Sequence, residues 1–268
     1  MYLYKYRCFS ESHLNALSKN ELWFSVGEKF NDPLDCTVNV PVSFVDYDEY
    51  HKLVMERTRA VEYIEHGIIN EQDIDRIIMK ELGRAEKMMQ DGTYQKHEIG
   101  FLVDRTFNLL VRSFVCCLAQ RSNNHLMWSH YSYGHTGFCI RYVKERLLNN
   151  SKIYLHEKVN YDGKPVTILS HLLKDSPRDA ESRVIFKKSP EWSYEEEYRL
   201  IHQDLSNGRE DVSKVLPYED DAIDCIIFGM RATSSDIDNL KRRLSGRNIK
   251  FKKIERAKAG FELYATPE

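Results

Sequence analysis

The chain has 268 residues, 39 Lys and Arg against 41 Asp and Glu, a formal charge of −2, and 42% hydrophobic with 12% aromatic residues. This balance excludes a disordered or fibrous chain and provides a substantial core, in one full domain with an insertion or in two small ones. Near-neutral charge also removes the usual footprint of a protein that holds duplex nucleic acid tightly, although basic runs occur at Arg183 to Lys188 and Lys241 to Arg243.

Tyr2 to Arg7 alternates aromatic and polar residues and predicts a strand. Ser10 or Ser12 then caps a short helix carrying Leu14 and Leu17, and Leu22 to Ser25 predicts a second strand. Phe30-Asn31-Asp32-Pro33-Leu34-Asp35 breaks the chain, because Pro fixes its own φ and drives Asp32 out of the helical region. From about 46 to 110 the pattern is helical, clearest where Ile74, Ile77, Ile78, Leu82, Ala85 and Met89 recur at steps of three and four. We read this as a helical insertion whose apolar stripe either covers a cleft or mediates a homodimer; Met88 and Met89 read as packing.

Phe114 to Ala119 is a buried strand. Ser122-Asn123-Asn124 caps a short helix, Leu126 to Tyr131, and Gly137 to Tyr142 is a strand. Lys158 to Tyr161 is strand-like, a helical stretch runs from near Ala180 to Phe186, and the second half of Trp192 to Ile201 alternates like a strand. Cys225 to Gly229 is a short apolar strand. Ser234 or Ser235 caps a helix with Ile237, Leu240 and Leu244 on one face, stopped by Gly246, and Ile249 to Ile254 and Phe261 to Tyr264 are closing strands. The order of elements predicts a single α+β domain over 1–268 with a mixed sheet rather than a doubly wound parallel one.

No stretch approaches the roughly 20 apolar residues of a membrane helix, and residues 1–7 lack the apolar centre of a signal peptide, so a cytoplasmic location without membrane partners is expected. Cys8, Cys36, Cys116, Cys117, Cys139 and Cys225 lie mostly in apolar runs and are expected to be reduced. CxxC and HExxH are absent, and no metal cofactor is expected. GxSxG and GxxxxGK[ST] are absent too, which removes the serine hydrolase and phosphate-loop readings.

Three clusters place polar groups beside aromatics at element ends. The first is Tyr4, Tyr6 and Arg7 with Ser25, Asn31 and Asp32. Trp128, His130, Tyr131 and His135 form the second, where Trp128 and Tyr131 share a helix face that reads first as a packing face. In the third, Glu195-Glu196-Glu197 enters a strand, and alternation puts Glu195 and Glu197 on one side of the sheet with Tyr198 and Leu200 on the other. Two convergent carboxylates can separate in pKa and support glycosidic cleavage through a cation-like transition state. The plainer reading is a solvated acidic strand start paired with Arg199 or Lys187.

Together, Tyr4-Lys5-Tyr6-Arg7, Phe30-Asn31-Asp32-Pro33, Leu126-Met127-Trp128-Ser129-His130-Tyr131 and Trp192-Ser193-Tyr194-Glu195-Glu196-Glu197-Tyr198-Arg199 resemble a bacterial family of unknown function encountered in phage-defence and abortive-infection settings. The order of elements also resembles the ADP-ribosyltransferase fold. That resemblance implies NAD as substrate and a macromolecular acceptor, protein or nucleic acid, or else NAD hydrolysis. It implies that Arg7 or Tyr6 contacts the NAD ribose or phosphate, that Ser25 or Tyr131 borders the nicotinamide, and that Glu197 fixes a ribose hydroxyl, with Glu195 as the first acid of an ExE motif. Trp128 is an alternative aromatic face for the nicotinamide, and His130, Asn31 and Asp32 complete the cofactor-binding set. The sequence departs from that fold's pattern in having no His on the first strand and no Ser-Thr-Ser on a middle one. Alternatives are a non-catalytic binding or sensor domain and a nuclease built on His130, His135 and Glu197.

Overall fold

The computed structural model describes residues 1–36, 71–91, 93, 110, 112–163, 184–204, 206 and 211–268. It divides into two compact units. The first holds Met1–Asp35, Arg112–Gly163 and Phe186–Glu268; the second holds Cys36–Val111 and Lys164–Ile185.

The first unit opens with strand β1 (Tyr2–Arg7) and helix α1 (Glu11–Ser18). Ser10 caps α1 by accepting from the His13 backbone N–H, and Leu14 and Leu17 are its buried face. Asn20, in the left-handed region at φ 56°, turns the chain into β2 (Glu21–Ser25). In the second unit, α2 (Glu71–Gln90) lies within the expected helical insertion, with Leu82 buried; the rest of the 46–110 pattern falls almost wholly outside the described residues.

Back in the first unit come β3 (Ser113–Ala119), α3 (His125–Tyr131), β4 (Phe138–Val143), α4 (Lys144–Leu148) and β5 (Leu155–Lys158). Asn124 caps α3 by accepting from the N–H groups of Leu126 and Met127. The last third is β6 (Glu197–Gln203), β7 (Ser213–Pro217), β8 (Ile223–Phe228), α5 (Ser234–Arg243), β9 (Lys250–Arg256) and β10 (Leu263–Pro267).

All ten strands join one mixed sheet in the order β10-β9-β8-β4-β1-β3-β2-β7, with β6 on β3 and β5 on β6. The fold is therefore α+β. The β8–β9 pair is parallel, bridged by α5, whereas neighbours such as β1–β4 and β3–β6 are antiparallel. One face packs Leu3, Phe114, Phe138, Leu200 and Phe228 under α1 and α5, through Leu14, Leu17, Ile237 and Leu240. The other packs Tyr6, Cys139, Ile227 and Ile254 under Met127 and Trp128 of α3. All six cysteines are free thiols.

Several boundaries depart from the sequence reading. The strand expected at 158–161 lies earlier, at Leu155–Lys158, because it follows its β6 partner from Ile201 to Tyr198; Asn160 makes only an isolated bridge to Lys187. Thr233, not Ser234 or Ser235, caps α5 by accepting from Asp236 N–H. β7 lies at the end of the strand order on β2 and carries mixed, partly exposed side chains, so periodicity does not mark it. The helical stretch expected from Ala180 lies outside the described residues except at its end.

Candidate functional site

The site originates in how β3 is shared. Along one edge it pairs with β6 for its full length, from Ser113 opposite Gln203 to Ala119 opposite Glu197. On its other edge β1 touches one end, with Tyr4 opposite Ala119, and β2 touches the other, with Ser25 opposite Val115. Between those points β1 and β2 part, and a cleft of about 560 Å³ opens. Its walls carry aromatics (Tyr4, Tyr6, Phe30, Tyr131), cations (Lys5, Arg7, Lys188) and carboxylates (Asp35, Glu195, Glu197).

The carboxylates belong to a buried charge cluster. Lys188 Nζ donates to Glu195 Oε2 at 2.6 Å and to Glu197 Oε1 at 2.7 Å, and lies 3.5 Å from Asp35 Oδ2. Arg199 Nε donates to Glu197 Oε2 at 2.8 Å, while its Nη1 and Nη2 hold both oxygens of Asp35. Tyr131 Oη donates to Glu195 Oε1, and Asn31 Nδ2 donates to Tyr131 Oη at 3.1 Å. Three carboxylates thus share two cations out of water, an arrangement that favours a proton on one of them.

Glu195 is that group. Burial, and then the neighbouring Glu197, raise its pKa to about 7. Burial works against ionisation of Glu197 too, but the Arg199 guanidinium and Lys188 hold it well below the usual carboxylate range. Lys188 stays charged despite burial because both glutamates raise its pKa. Tyr131 is raised by burial and by Glu195 and remains a neutral donor. The pair therefore offers one group able to exchange a proton near neutrality beside one fixed negative charge.

The route by which the two glutamates converge corrects the strand-alternation argument. Glu195 ends a 3-10 turn, Pro190–Glu195, and Glu196 sits in the left-handed region at φ 43° before β6 begins at Glu197. That kink turns both carboxylates onto Lys188, and Glu196 faces Arg121 instead. Arg199 is a true partner of Glu197. Lys187 is not; it pairs with Asp162, and the neighbouring Lys188 takes the glutamates.

Of the residues singled out from sequence, Arg7, Tyr6, Ser25, Asn31, Tyr131, Glu195 and Glu197 line the cleft. Tyr6 does so as a buried ring, donating its hydroxyl to Arg121 O at 2.9 Å. Four others are not on its walls. Asp32 is a turn former, accepting from Leu34 N–H at 2.9 Å, and so sets the position of Asp35. Trp128 is fully buried, donates Nε1–H to Ser122 O at 2.7 Å and supports the Tyr6 ring edge-on at 5.1 Å, which is the packing role that its helix face implied. His130 is exposed beside Tyr194, and His135 stacks on Trp128. Lys5, Asp35 and Lys188 were missed. Asp35 ends the rigid Asn-Asp-Pro turn and Lys188 ends a basic run, but neither carries a spacing that marks it.

Residues 127–200 match the model of a family described as a protein of unknown function (DUF2971). The matched stretch begins inside α3 and takes in β4 and the segment from Lys188 to Arg199, while the Tyr4–Arg7 and Phe30–Pro33 motifs lie before it. No curated protein and no solved structure matches the chain. Among the described residues no group of three or more His, Cys, Asp or Glu is placed to hold a metal ion, and no helix is long and apolar enough to cross a membrane.

Proposed function

We propose that the cleft binds NAD and supports cleavage of its nicotinamide–ribose bond, with ADP-ribose passing to a macromolecule or to water, as an effector in phage defence. The observation that carries this reading is the pair Glu195 and Glu197, of opposite pKa shift, on the wall of an aromatic and cationic cleft. The residues present suit the molecule: Tyr131 and Tyr4 offer rings, and Arg7 and Lys5 are cations without a carboxylate partner among the described residues. The bound dinucleotide would supply a leaving group that departs with the bonding electron pair.

Glu197, locked as a carboxylate by Arg199 and Lys188, opposes the positive charge that develops on the ribose. Its Oε2 accepts the Arg199 Nε–H and has a second lone pair that suits a hydroxyl donor. Glu195, in its ionised form, accepts the proton of the attacking hydroxyl. Arg7 holds phosphate oxygens and Tyr131 steadies Glu195.

One observation favours a second reading, a binding or sensor domain. Each oxygen of Glu195 and Glu197 already receives a donor from within the protein, as a purely structural cluster requires. Nicotinamide release from NAD in the presence of cell lysate separates the two. Under the catalytic reading wild type releases nicotinamide and Glu197→Gln loses about 10²–10³ in rate. No release by folded wild type across several lysates, or full activity of Glu197→Gln, removes it in favour of the binding domain.

A further inference from the structure

We propose that a second, smaller cavity behind the cleft, walled by β1, α1, β2 and β4, is a binding subsite for a phosphate group. It has a volume of about 160 Å³ and shares Lys5, Arg7 and Trp23 with the cleft, while Ser12 and His13 of α1 belong to it alone.

Lys5 and Arg7 stand two apart on β1, so both side chains leave the strand on the same side. The Arg7 guanidinium makes no hydrogen bond, ion pair or ring contact with any described residue, and Lys5 Nζ donates only to the backbone carbonyl of Cys117. Glu21 is the one carboxylate on the cavity wall, and it pairs with neither cation. Three other buried or partly buried cations among the described residues are matched: Arg199 with Asp35 and Glu197, Lys188 with Glu195 and Glu197, Arg141 with Asp224. Both cations are partly buried side by side with no ion pair to a described residue, Glu197 being the one carboxylate whose charge Lys5 feels, so an anion seated between them is favoured.

The field they create is felt by the third basic group. His13 has its pKa lowered, first by burial and then by Arg7 and Lys5. Its Nδ1–H donates to the Cys8 carbonyl at 3.1 Å, which leaves Nε2 of the neutral ring as an acceptor for another partner. A planar guanidinium with free N–H groups and an ammonium around one small space suit the several oxygens of a phosphate, and Nε2 of the neutral imidazole can accept from the hydroxyl that a phosphate monoanion or dianion retains. The phosphate is either free or the end of a nucleotide whose remainder lies in the cleft, since the shared wall joins the two spaces. The proposal shares Arg7 with the NAD reading but does not rest on NAD cleavage, and phosphate binding is measured independently of it.

Calorimetric titration of the full chain with inorganic phosphate, AMP and adenosine tests it. Wild type is expected to bind inorganic phosphate saturably. Arg7→Gln should weaken it about tenfold or more, Arg7→Lys should recover part of the loss, and His13→Ala should weaken it about threefold. AMP binding more than about tenfold tighter than phosphate, with the excess reduced by Tyr131→Phe, identifies a nucleotide phosphate; equal affinities identify free phosphate. Absence of saturation by phosphate below about 10 mM in folded wild type overturns the proposal. So does unchanged binding by Arg7→Gln. If Arg7→Gln loses binding but His13→Ala does not, the phosphate sits in the cleft and the small cavity is not its site.

Discussion

Arg199 grips Asp35 with two parallel bonds, Nη1 to Oδ1 at 2.8 Å and Nη2 to Oδ2 at 2.5 Å, across 164 residues of chain. Both side chains are almost wholly buried, so Arg199 has exchanged its hydration for Asp35 and Glu197, and Asp35 for Arg199 and Lys188. Removing one partner strands a charge in the interior, whereas removing both does not. Arg199→Met is therefore expected to lower unfolding free energy by about 3–5 kcal/mol, and Asp35→Leu combined with Arg199→Met to cost clearly less than the sum of the single changes. Urea denaturation of the two single variants and the double variant checks this; strict additivity would sink it.

The raised pKa of Glu195 has a definite sign in stability. The unfolded chain releases this proton near the ordinary value of 4.5, and the folded chain keeps it to about 7. In that window the folded state binds more protons, so the Glu195 contribution is complete below pH 4.5 and is lost as pH rises through 7. Glu195→Gln should therefore lose less stability than wild type between pH 5 and pH 8. Glu197 acts in the opposite sense: its contribution is present above the ordinary 4.5 and disappears as pH falls. Glu197→Gln should accordingly flatten the acid limb. Denaturation midpoints at four pH values test both slopes, and parallel profiles for wild type and Glu195→Gln would contradict the assignment.

Tyr131 is the donor that helps Glu195 ionise, and it in turn accepts from Asn31. Tyr131→Phe withdraws that donor while preserving the ring. The Glu195 pKa should rise further, and stability at pH 7 should fall by about 1.5–3 kcal/mol, the range for a hydrogen bond to a charged group. Carboxyl-resolved NMR titration reads the first, thermal unfolding the second. A Glu195 titration that stays in place would show that Tyr131 does not act on it.

Gly137 closes the turn into β4 where no side chain fits. A Cβ there would lie 2.1 Å from the Arg7 carbonyl oxygen and 3.0 Å from Cys8 Cα, both backbone atoms that cannot swing aside. Gly137→Ala must push β4 off the end of β1, just where Arg7 meets Phe138. We expect a loss of about 2–4 kcal/mol in chemical denaturation together with weakened ligand binding at Arg7. A variant as stable as wild type would show that the turn relaxes freely.

Much of the fold was legible in the sequence, because its signals are local. The alternation in Tyr2 to Arg7 marks β1, Leu14 and Leu17 after Ser10 mark α1, and Asn124 before Leu126 marks the start of α3. Where the signal is not local, the reading slipped. β5 takes its boundaries from β6, and β7 exists because β2 offers it an edge. Trp128 shows the same limit in the site: three-residue spacing from Tyr131 places both on one helix face, yet Trp128 is sealed under Tyr6 while Tyr131 reaches the cleft.

The sequence by itself determined that this is an α+β chain, that its core strands are β3, β4, β6 and β8, and that Glu195 and Glu197 lie beside Arg199, since periodicity, caps and neighbouring residues are properties of short segments. Only the tertiary structure decided that β1 and β2 part over β3 to open a cleft, that Asp35 and Lys188 arrive at the glutamates, and that Arg7 makes no ion pair with any described residue. Strand pairing and burial are set by residues far apart in the chain. In a cluster buried from water, a count of three carboxylates to two cations among the described residues favours one retained proton, and burial with the neighbouring Glu197 places it on Glu195.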